Sequence, residues 1–174
     1  SSLESELDEL LQVYLKTEII FRGVDGIDWG TVADDIPGSM SRTRGAFELL
    51  GLDCDSAFII TAWNPLGQNL SQSQNEVLQS LLEMDLRGSG FEYVPVVGQE
   101  PGGGWKEDSL LVANKSPLEI RQKVLELADK FAQNAIFELT LKTKRVIGVR
   151  EPNMSGEVGY RLMPLGTQGI DLNS

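Results

Sequence analysis

The residues of this chain that could do chemistry are acids, amides and tryptophans near its middle. Trp105, Glu107 and Ser109 alternate along one predicted strand, so their side chains share one face of a sheet. Glu107 is the leading candidate acid, because a neighbouring tryptophan can exclude water from a carboxyl group and raise its pKa. Glu100 lies across a glycine-rich loop from it, and paired carboxyl groups can divide acid and base roles. A solvated pair is the simpler interpretation.

Amide side chains near the ends of other predicted elements extend this set. Asn64 follows a predicted strand and precedes Pro65, so its side chain could bind a ligand or close an Asx turn. Gln133 and Asn134 follow a predicted helix, where Asn could equally serve as a left-handed C-cap. The predicted ligand-binding or partner-binding residues are Thr61, Asn64, Glu100, Trp105, Glu107, Ser109, Gln133 and Asn134.

The residue types that are missing exclude several kinds of catalytic site. The chain has no histidine, which rules out a Ser-His-Asp triad, a Cys-His dyad and a His-based zinc site. Its single cysteine, Cys54, lies between two aspartates, whose charges should raise the thiol pKa and make it a poor nucleophile. No recognisable catalytic motif remains, so the sequence favours a protein that is not an enzyme.

Two further motifs suggest a phosphate-binding loop and a calcium-binding loop, but neither has the residue spacing that such a loop requires. The triple glycine at 102–104 lacks the spacing and the Lys-Ser/Thr pair of a phosphate-binding loop, and it is interpreted as a hairpin tip, although glycine amides can form anion nests. The spacing of Asp25, Asp28, Asp34 and Asp35 does not match a calcium-binding loop, so these are interpreted as solvated acids. The sequence therefore predicts no cofactor and no metal.

Charge and composition limit the partners. The 174 residues carry a formal net charge of -11, which repels phosphate backbones and anionic membrane surfaces, so no nucleic-acid partner is expected. The charge favours a basic protein partner or serves solubility alone. No segment approaches the length of about 20 apolar residues that a membrane helix needs, so no membrane insertion is expected.

A soluble protein in a reducing compartment is expected, either the cytoplasm or an organelle interior after removal of a leader before Ser1. The basic cluster of Lys142, Lys144 and Arg145 is interpreted as a solvated turn.

The elements that must position these residues follow from hydrophobic periodicity and from turn and cap signals. The cap signals are a capping box of Ser71 with Gln74 and an N-cap at Ser116. Strands are predicted at 17–21, 57–63, 91–97, 109–113, 134–141 and 145–149, and helices at 3–15, 43–50, 72–86 and 116–131. Tyr14 lies on the apolar stripe of the first helix, and the predicted buried face of the helix at 72–86 is formed by Val77, Leu78, Leu81 and Leu82. Residues 23–41 are predicted to be rich in turns. Residues 1–150 should form one domain, with residues 151–174 as an extension that wraps the surface or binds a partner.

The order strand-helix-strand-strand-helix-strand over 56–141 is that of the ferredoxin-like βαββαβ fold. The predicted fold class is therefore α+β, with helices on one face of an antiparallel sheet. The most apolar strands, 57–63 and 109–113, should be central, while 91–97 and 134–141 should be edges. Right-handed crossovers then bring the candidate residues to one rim of the sheet.

The same motifs resemble those of a known family. Thr-Ala-Trp-Asn-Pro after a strand, then Trp-x-Glu-x-Ser leading into Leu-Leu-Val, then Phe-Ala-Gln-Asn-Ala, are similar to the bacterial and phage domain-of-unknown-function family numbered 3293. The resemblance extends over about residues 13–139. It implies a small soluble α+β domain, and it transfers no established activity.

Two functions therefore remain open. The favoured one is a non-catalytic interaction module or accessory subunit of a larger assembly, docked through the 23–41 segment and the C-terminal extension. The alternative is a small-ligand-binding protein or enzyme that uses the rim around Asn64, Trp105, Glu107 and Gln133.

Overall fold

The computed structural model describes residues 2–34, 45–151 and 153–165. Its strands are β1 (Glu18–Arg22), β2 (Asp28–Asp34), β3 (Ser56–Ile60), β4 (Tyr93–Gln99), β5 (Lys106–Ala113), β6 (Ala135–Thr140), β7 (Thr143–Gly148) and β8 (Gly156–Pro164). Its helices are α1 (Ser2–Lys16), α2 (Ala46–Leu50), α3 (Gln72–Gly88) and α4 (Pro117–Lys130), with a 3-10 turn at Pro65–Gly67. The strands form a closed barrel in the order β1-β2-β8-β7-β6-β3-β5-β4, and each neighbouring pair is antiparallel.

The predicted α+β, ferredoxin-like fold class is therefore wrong. The strands β6, β3, β5 and β4 do lie side by side in that order, and Ile59 is paired with Leu111 at the centre. The two outer strands are not edges, however, because β4 pairs with β1 and β6 pairs with β7. Segments from both ends of the described chain complete the ring, and closure removes the edges that an open sheet would leave.

The additional strands lie where the sequence shows mainly turn signals. Strand β2 occupies the stretch predicted to be rich in turns, and β8 occupies part of the predicted C-terminal extension. Both are bordered by glycine, proline or acidic residues, which mask a short strand. Strand β8 pairs with both β2 and β7, so it belongs to the barrel and is not a surface extension.

The barrel has one apolar core inside it and a second core outside. On β3, Ala57 and Ile59 pack with the interior cluster, while Phe58 and Ile60 pack with the outer cluster beneath α3 and α4. A strand buried on both faces needs a continuous apolar run, which explains this part of the sequence. Burying a side chain such as Phe58 stabilises the fold by about 1.5–3 kcal/mol.

The two ends of the barrel are covered differently. Helix α2 closes one end with the buried side chains of Phe47 and Leu49. Helix α1 contacts β7 and β8 at the opposite end of the barrel, where Leu11 and Leu15 approach Gly156, the first residue of β8. None of the described α1 residues is fully buried. The barrel is thus sealed at the α2 end and more loosely covered at the α1 end.

The helix caps agree only in part with the sequence signals. Ser71 and Gln74 form the predicted capping box at the start of α3. Ser116, the predicted cap of α4, makes no side-chain cap hydrogen bond. Among the described helices, none is long and apolar enough to span a bilayer.

Candidate functional site

A cavity of about 120 Å³ lies at the α1 end of the barrel, where β3 and β4 end and β5 and β6 begin. It brings together side chains that are far apart in the sequence. Of the eight predicted site residues, seven line it, namely Thr61, Asn64, Trp105, Glu107, Ser109, Gln133 and Asn134. The predicted convergence on one rim is therefore observed, and the binding role of these residues stays a prediction.

Glu100 is the predicted site residue that does not line the cavity. It follows β4 in the exposed hairpin, where its carboxylate accepts a 3.4 Å hydrogen bond from the backbone N–H of Trp105. Glu107 instead pairs with Gly98 within the sheet, so its side chain turns into the barrel mouth. The two glutamates therefore do not form an acid–base pair within the cavity.

Glu107 is the acid of the cavity. Its Oε1 accepts a 3.2 Å hydrogen bond from Nδ2 of Asn64, and among the described residues it forms no ion pair. Burial raises the pKa of Glu107, because a carboxylate loses hydration there, and the bond from Asn64 offsets part of this increase. The carboxyl group is therefore held in a site that disfavours its charge and leaves acceptor capacity unused.

Asn64 is oriented by its surroundings. Its Oδ1 accepts hydrogen bonds from Leu70 N–H and from Asn75 Nδ2, both at 3.0 Å. Its own backbone N–H donates to Asn75 Oδ1 at 2.8 Å, and its backbone is left-handed with φ 50°. Because the amide oxygen is already engaged, the amide N–H₂ faces Glu107. Asn64 thus positions the acid.

Hydrogen bonds also fix the other segments of the rim. The Thr61 hydroxyl donates to the carbonyl oxygen of Asp108 at 2.7 Å, which links β3 to β5. Gln133 Nε2 donates to the carbonyl oxygen of Trp63 at 3.1 Å. Ala132, and not Asn134, has the left-handed backbone after α4, with φ 55°. The alternative interpretation of Asn134 as a left-handed C-cap is therefore not observed, and its side chain interacts with the hydroxyl of Tyr14.

Aromatic residues outside the predicted set complete the cavity wall. Tyr14 of α1 packs edge-to-face on Phe137 of β6, with the ring centroids 6.1 Å apart and an interplanar angle of 81°. Burial raises the pKa of the Tyr14 hydroxyl, the bond with Asn134 opposes this, and the charge of Glu107 adds to the increase. The sequence placed Tyr14 on an apolar helical stripe but could not show which part of the barrel that stripe contacts.

Lys144 is a residue whose position was predicted wrongly from the sequence. It was predicted to lie in a solvated turn, yet it is 3% exposed, and its ammonium donates to the carbonyl oxygen of Thr17. Burial lowers the pKa of Lys144 to about 7, and the charge of Glu18 limits the decrease. Lys144 alternates with the buried Val146 on β7, and this period-two pattern is the signal that could have revealed it.

The other groups considered from sequence lie away from the cavity. The pKa of the Cys54 thiol is raised as predicted, but burial is the largest cause and the acid that contributes is Glu92 rather than the adjacent aspartates. Asp28 forms a 2.8 Å ion pair with Arg22. Asp35 lies outside the described residues. Within the described part of the chain, no three His, Cys, Asp or Glu side chains are grouped so that they could hold a metal ion.

The protein is therefore a closed, antiparallel, eight-stranded barrel with a polar and aromatic cavity at one mouth. Residues 60–136 match the model of a family described as "Protein of unknown function (DUF3293)". The family resemblance drawn from the motifs is thus confirmed, over a narrower range than 13–139. The matched range includes the seven predicted lining residues and excludes Tyr14, Phe137 and Lys144. No curated protein and no solved structure matches the chain.

Proposed function

We propose that this protein binds a small molecule in the cavity at the mouth of its barrel. The observation that carries the proposal is the meeting, in one enclosed space, of the Glu107 carboxyl group with four aromatic side chains, those of Tyr14, Trp63, Trp105 and Phe137. A few polar groups that converge among apolar and aromatic walls are the usual composition of a ligand site.

The architecture supports the same function. Eight-stranded barrels are just wide enough to be filled by side chains or to hold one small ligand, and barrel mouths are frequent ligand sites. Here the interior is filled by the apolar cluster around Ile59 and Leu111, so the remaining space lies at the α1 end. The cavity of about 120 Å³ is smaller than most drug-sized sites and close to an apolar cavity of about 150 Å³ that holds benzene.

Unsatisfied hydrogen-bonding groups also favour a ligand. The indole N–H of Trp63 is buried and has no hydrogen-bond partner among the described residues. Glu107 likewise has acceptor capacity beyond its one bond from Asn64. A ligand with both a donor and an acceptor would pair with these groups, which are costly to leave unpaired.

Gly98 provides a test of this proposal. It lines the cavity, and a Cβ at this position would lie 3.6 Å from Thr17 Cγ2 and 3.9 Å from Ser109 Oγ, so alanine fits. The two further methyl groups of valine would enter the cavity. We expect fragments found by NMR titration to shift cavity resonances in the wild type, to bind Gly98→Val at least about tenfold more weakly and to bind Gly98→Ala with a smaller change. Fragments that bind elsewhere, or bind Gly98→Val unchanged, would contradict the proposal.

A separate observation keeps the interaction module as a second candidate function. Val77, Leu81 and Met84 are 62%, 46% and 61% exposed and follow one another at helical spacing on α3. Val77 and Leu81 were predicted to be buried, and the residues that α3 does bury include Leu82 and Leu86. Exposed apolar stripes often mark contact surfaces.

A native pull-down compares the wild type with a Leu81→Glu variant to test this second function. A specific protein captured by the wild type and lost in the variant would support it. Equal capture by both chains, or capture of nothing specific, would count against it.

A further inference from the structure

The charges around the cavity are one-sided. Among the residues that the structure describes, Glu107 is the only one lining the cavity that has a carboxyl group, and none of the described lysines or arginines lines it. Phosphates and carboxylates are most often recognised by arginine or lysine side chains, and this wall offers an anion no such charge among the described residues. A cation would instead meet a carboxyl group that has no counter-ion within the described ranges 2–34, 45–151 and 153–165.

Glu107 is well prepared for such a partner. Asn64 uses one of its acceptor positions and leaves the rest of the carboxylate open. Burial raises the pKa of Glu107 because nothing in the site compensates its charge fully. A nearby positive charge has the opposite effect and restores the ionised form. An ammonium group would therefore supply the interaction that the barrel itself does not provide.

The aromatic walls favour a cation for a second reason. The faces of Trp, Tyr and Phe rings attract cations within about 6 Å, by about 0.5–2 kcal/mol per contact, with the larger values in desolvated sites. Phe137 already shows this affinity, since the ammonium of Lys144 lies 5.2 Å from its centroid. Lys144 itself does not line the cavity, and because its pKa is about 7 it repels a second cation only partly at neutral pH.

We propose that the cavity binds a small organic ammonium ion, with its charge beside Glu107 and its alkyl groups against the rings of Trp63, Trp105 and Phe137. This inference rests on the proposed function of the cavity and adds the chemical class of its ligand. The cavity volume of about 120 Å³ limits the ligand to roughly five to eight non-hydrogen atoms. The net charge of -11 raises the local concentration of such cations.

Tetramethylammonium and tert-butanol are suitable probes, because they are similar in size and shape and differ in charge. Binding is measured by NMR titration against the full chain. We expect tetramethylammonium to shift the cavity resonances and to bind on the order of tenfold more tightly than tert-butanol. Glu107→Gln should weaken tetramethylammonium by about tenfold or more and change tert-butanol by less than about twofold.

The control variant is Glu100→Gln, which removes the same charge from the exposed hairpin outside the cavity. It should leave both probes within about twofold of the wild type, because surface charges are screened. If Glu107→Gln unfolds, Trp105→Leu provides the second variant, since Trp105 is 36% exposed, and it should weaken tetramethylammonium more than tert-butanol.

The outcomes separate this inference from the proposed function. Binding of tert-butanol as tight as that of tetramethylammonium, or equal losses in Glu107→Gln and Glu100→Gln, would overturn the ammonium inference and leave the cavity as a ligand site. If neither these probes nor any fragment shifts the cavity resonances, both proposals are wrong.

Discussion

The ammonium group of Lys144 lies inside the barrel, where it donates to the Thr17 carbonyl oxygen and stands over Phe137. Its folded pKa of about 7 is below the ordinary value of 10.5. Between these two pH values the unfolded chain binds more protons than the folded chain, so stability rises with pH. Below pH 7 Lys144 is protonated in both the folded and the unfolded chain, so the folded protein bears the full cost of burying the charge.

We therefore predict that the stability of the Lys144→Met variant, relative to the wild type, falls as pH rises. Methionine removes the cost of the buried charge, and it leaves the Thr17 carbonyl oxygen without its donor at every pH, at a cost of about 1–3 kcal/mol. The difference in free energy of unfolding, variant minus wild type, should be about 2 kcal/mol more positive at pH 6 than at pH 9. Urea denaturation at both values measures it.

The control is Lys142→Met, at an exposed position of the same turn. A difference for Lys144→Met that is independent of pH, or no larger than that of the control, would show that Lys144 is not buried as described.

At the residue scale, the sequence predicted cavity residues well when local alternation decides their direction. Trp105, Glu107 and Ser109 do share one face, because a strand alternates its side chains whatever sheet it joins. Lys144 was missed because its exposed neighbours, Lys142 and Arg145, suggest a solvated turn. The alternation of Lys144 with Val146 shows that they share a face of β7, and the pairing of Lys144 with Leu139 shows that this face points inward.

Helix α1 is the element that covers the open mouth, and close approach to β8 holds it there. A Cβ at Gly156 would lie 3.3 Å from Leu11 Cδ1 and 3.4 Å from Leu15 Cδ1. Tyr14 adds the edge-to-face contact with Phe137, an interaction of about 0.5–1.5 kcal/mol beyond its buried area. With no fully buried residue, α1 depends on a few such contacts.

We predict that Gly156→Val displaces α1 and leaves the barrel folded. Valine suits a strand, but its methyl groups would occupy the space of Leu11 and Leu15. Amide hydrogen exchange in α1 should become about tenfold faster or more, while exchange in β3 and β5 stays within about twofold. Gly156→Ala, which requires only small shifts of flexible side chains, should produce a much smaller increase. Equal protection of α1 in both variants would contradict this account.

At the scale of elements, the sequence predicted which of the central strands are neighbours in the sheet, but not that the sheet closes into a barrel. The central position of β3 and β5 follows from their apolar composition, since strands covered on both faces must be apolar. The strands assigned as edges carry proline or alternation, which are edge signals in an open sheet. Those signals do not exclude a further strand from a distant part of the chain, and β1 and β7 pair at these positions.

For the whole molecule, closure depends on β8. It pairs with β2 from Trp29 to Asp34 and with β7 from Thr143 to Val146, so it joins the N-terminal hairpin to the rest of the barrel. Tyr160 on β8 is 3% exposed, packs in the interior cluster and donates a hydrogen bond to the Thr140 carbonyl oxygen. Such a bridging strand cannot be recognised from the local composition of residues 151–174, because one of its two partner strands, β2, lies about 130 residues earlier in the chain.

We predict that a chain ending at residue 155 does not form the barrel. Without β8, the backbones of β2 and β7 lose a neighbour and the interior cluster loses Tyr160. Near-ultraviolet circular dichroism should lose its fixed aromatic signal, and urea unfolding should lose cooperativity. The control is the full chain with Arg145→Ala, which removes the ion pairs of a half-exposed arginine with Glu138 and Glu157 and should change the free energy of unfolding by less than about 1 kcal/mol. A truncated chain that unfolds as cooperatively as the full chain would restore the interpretation of this segment as an extension.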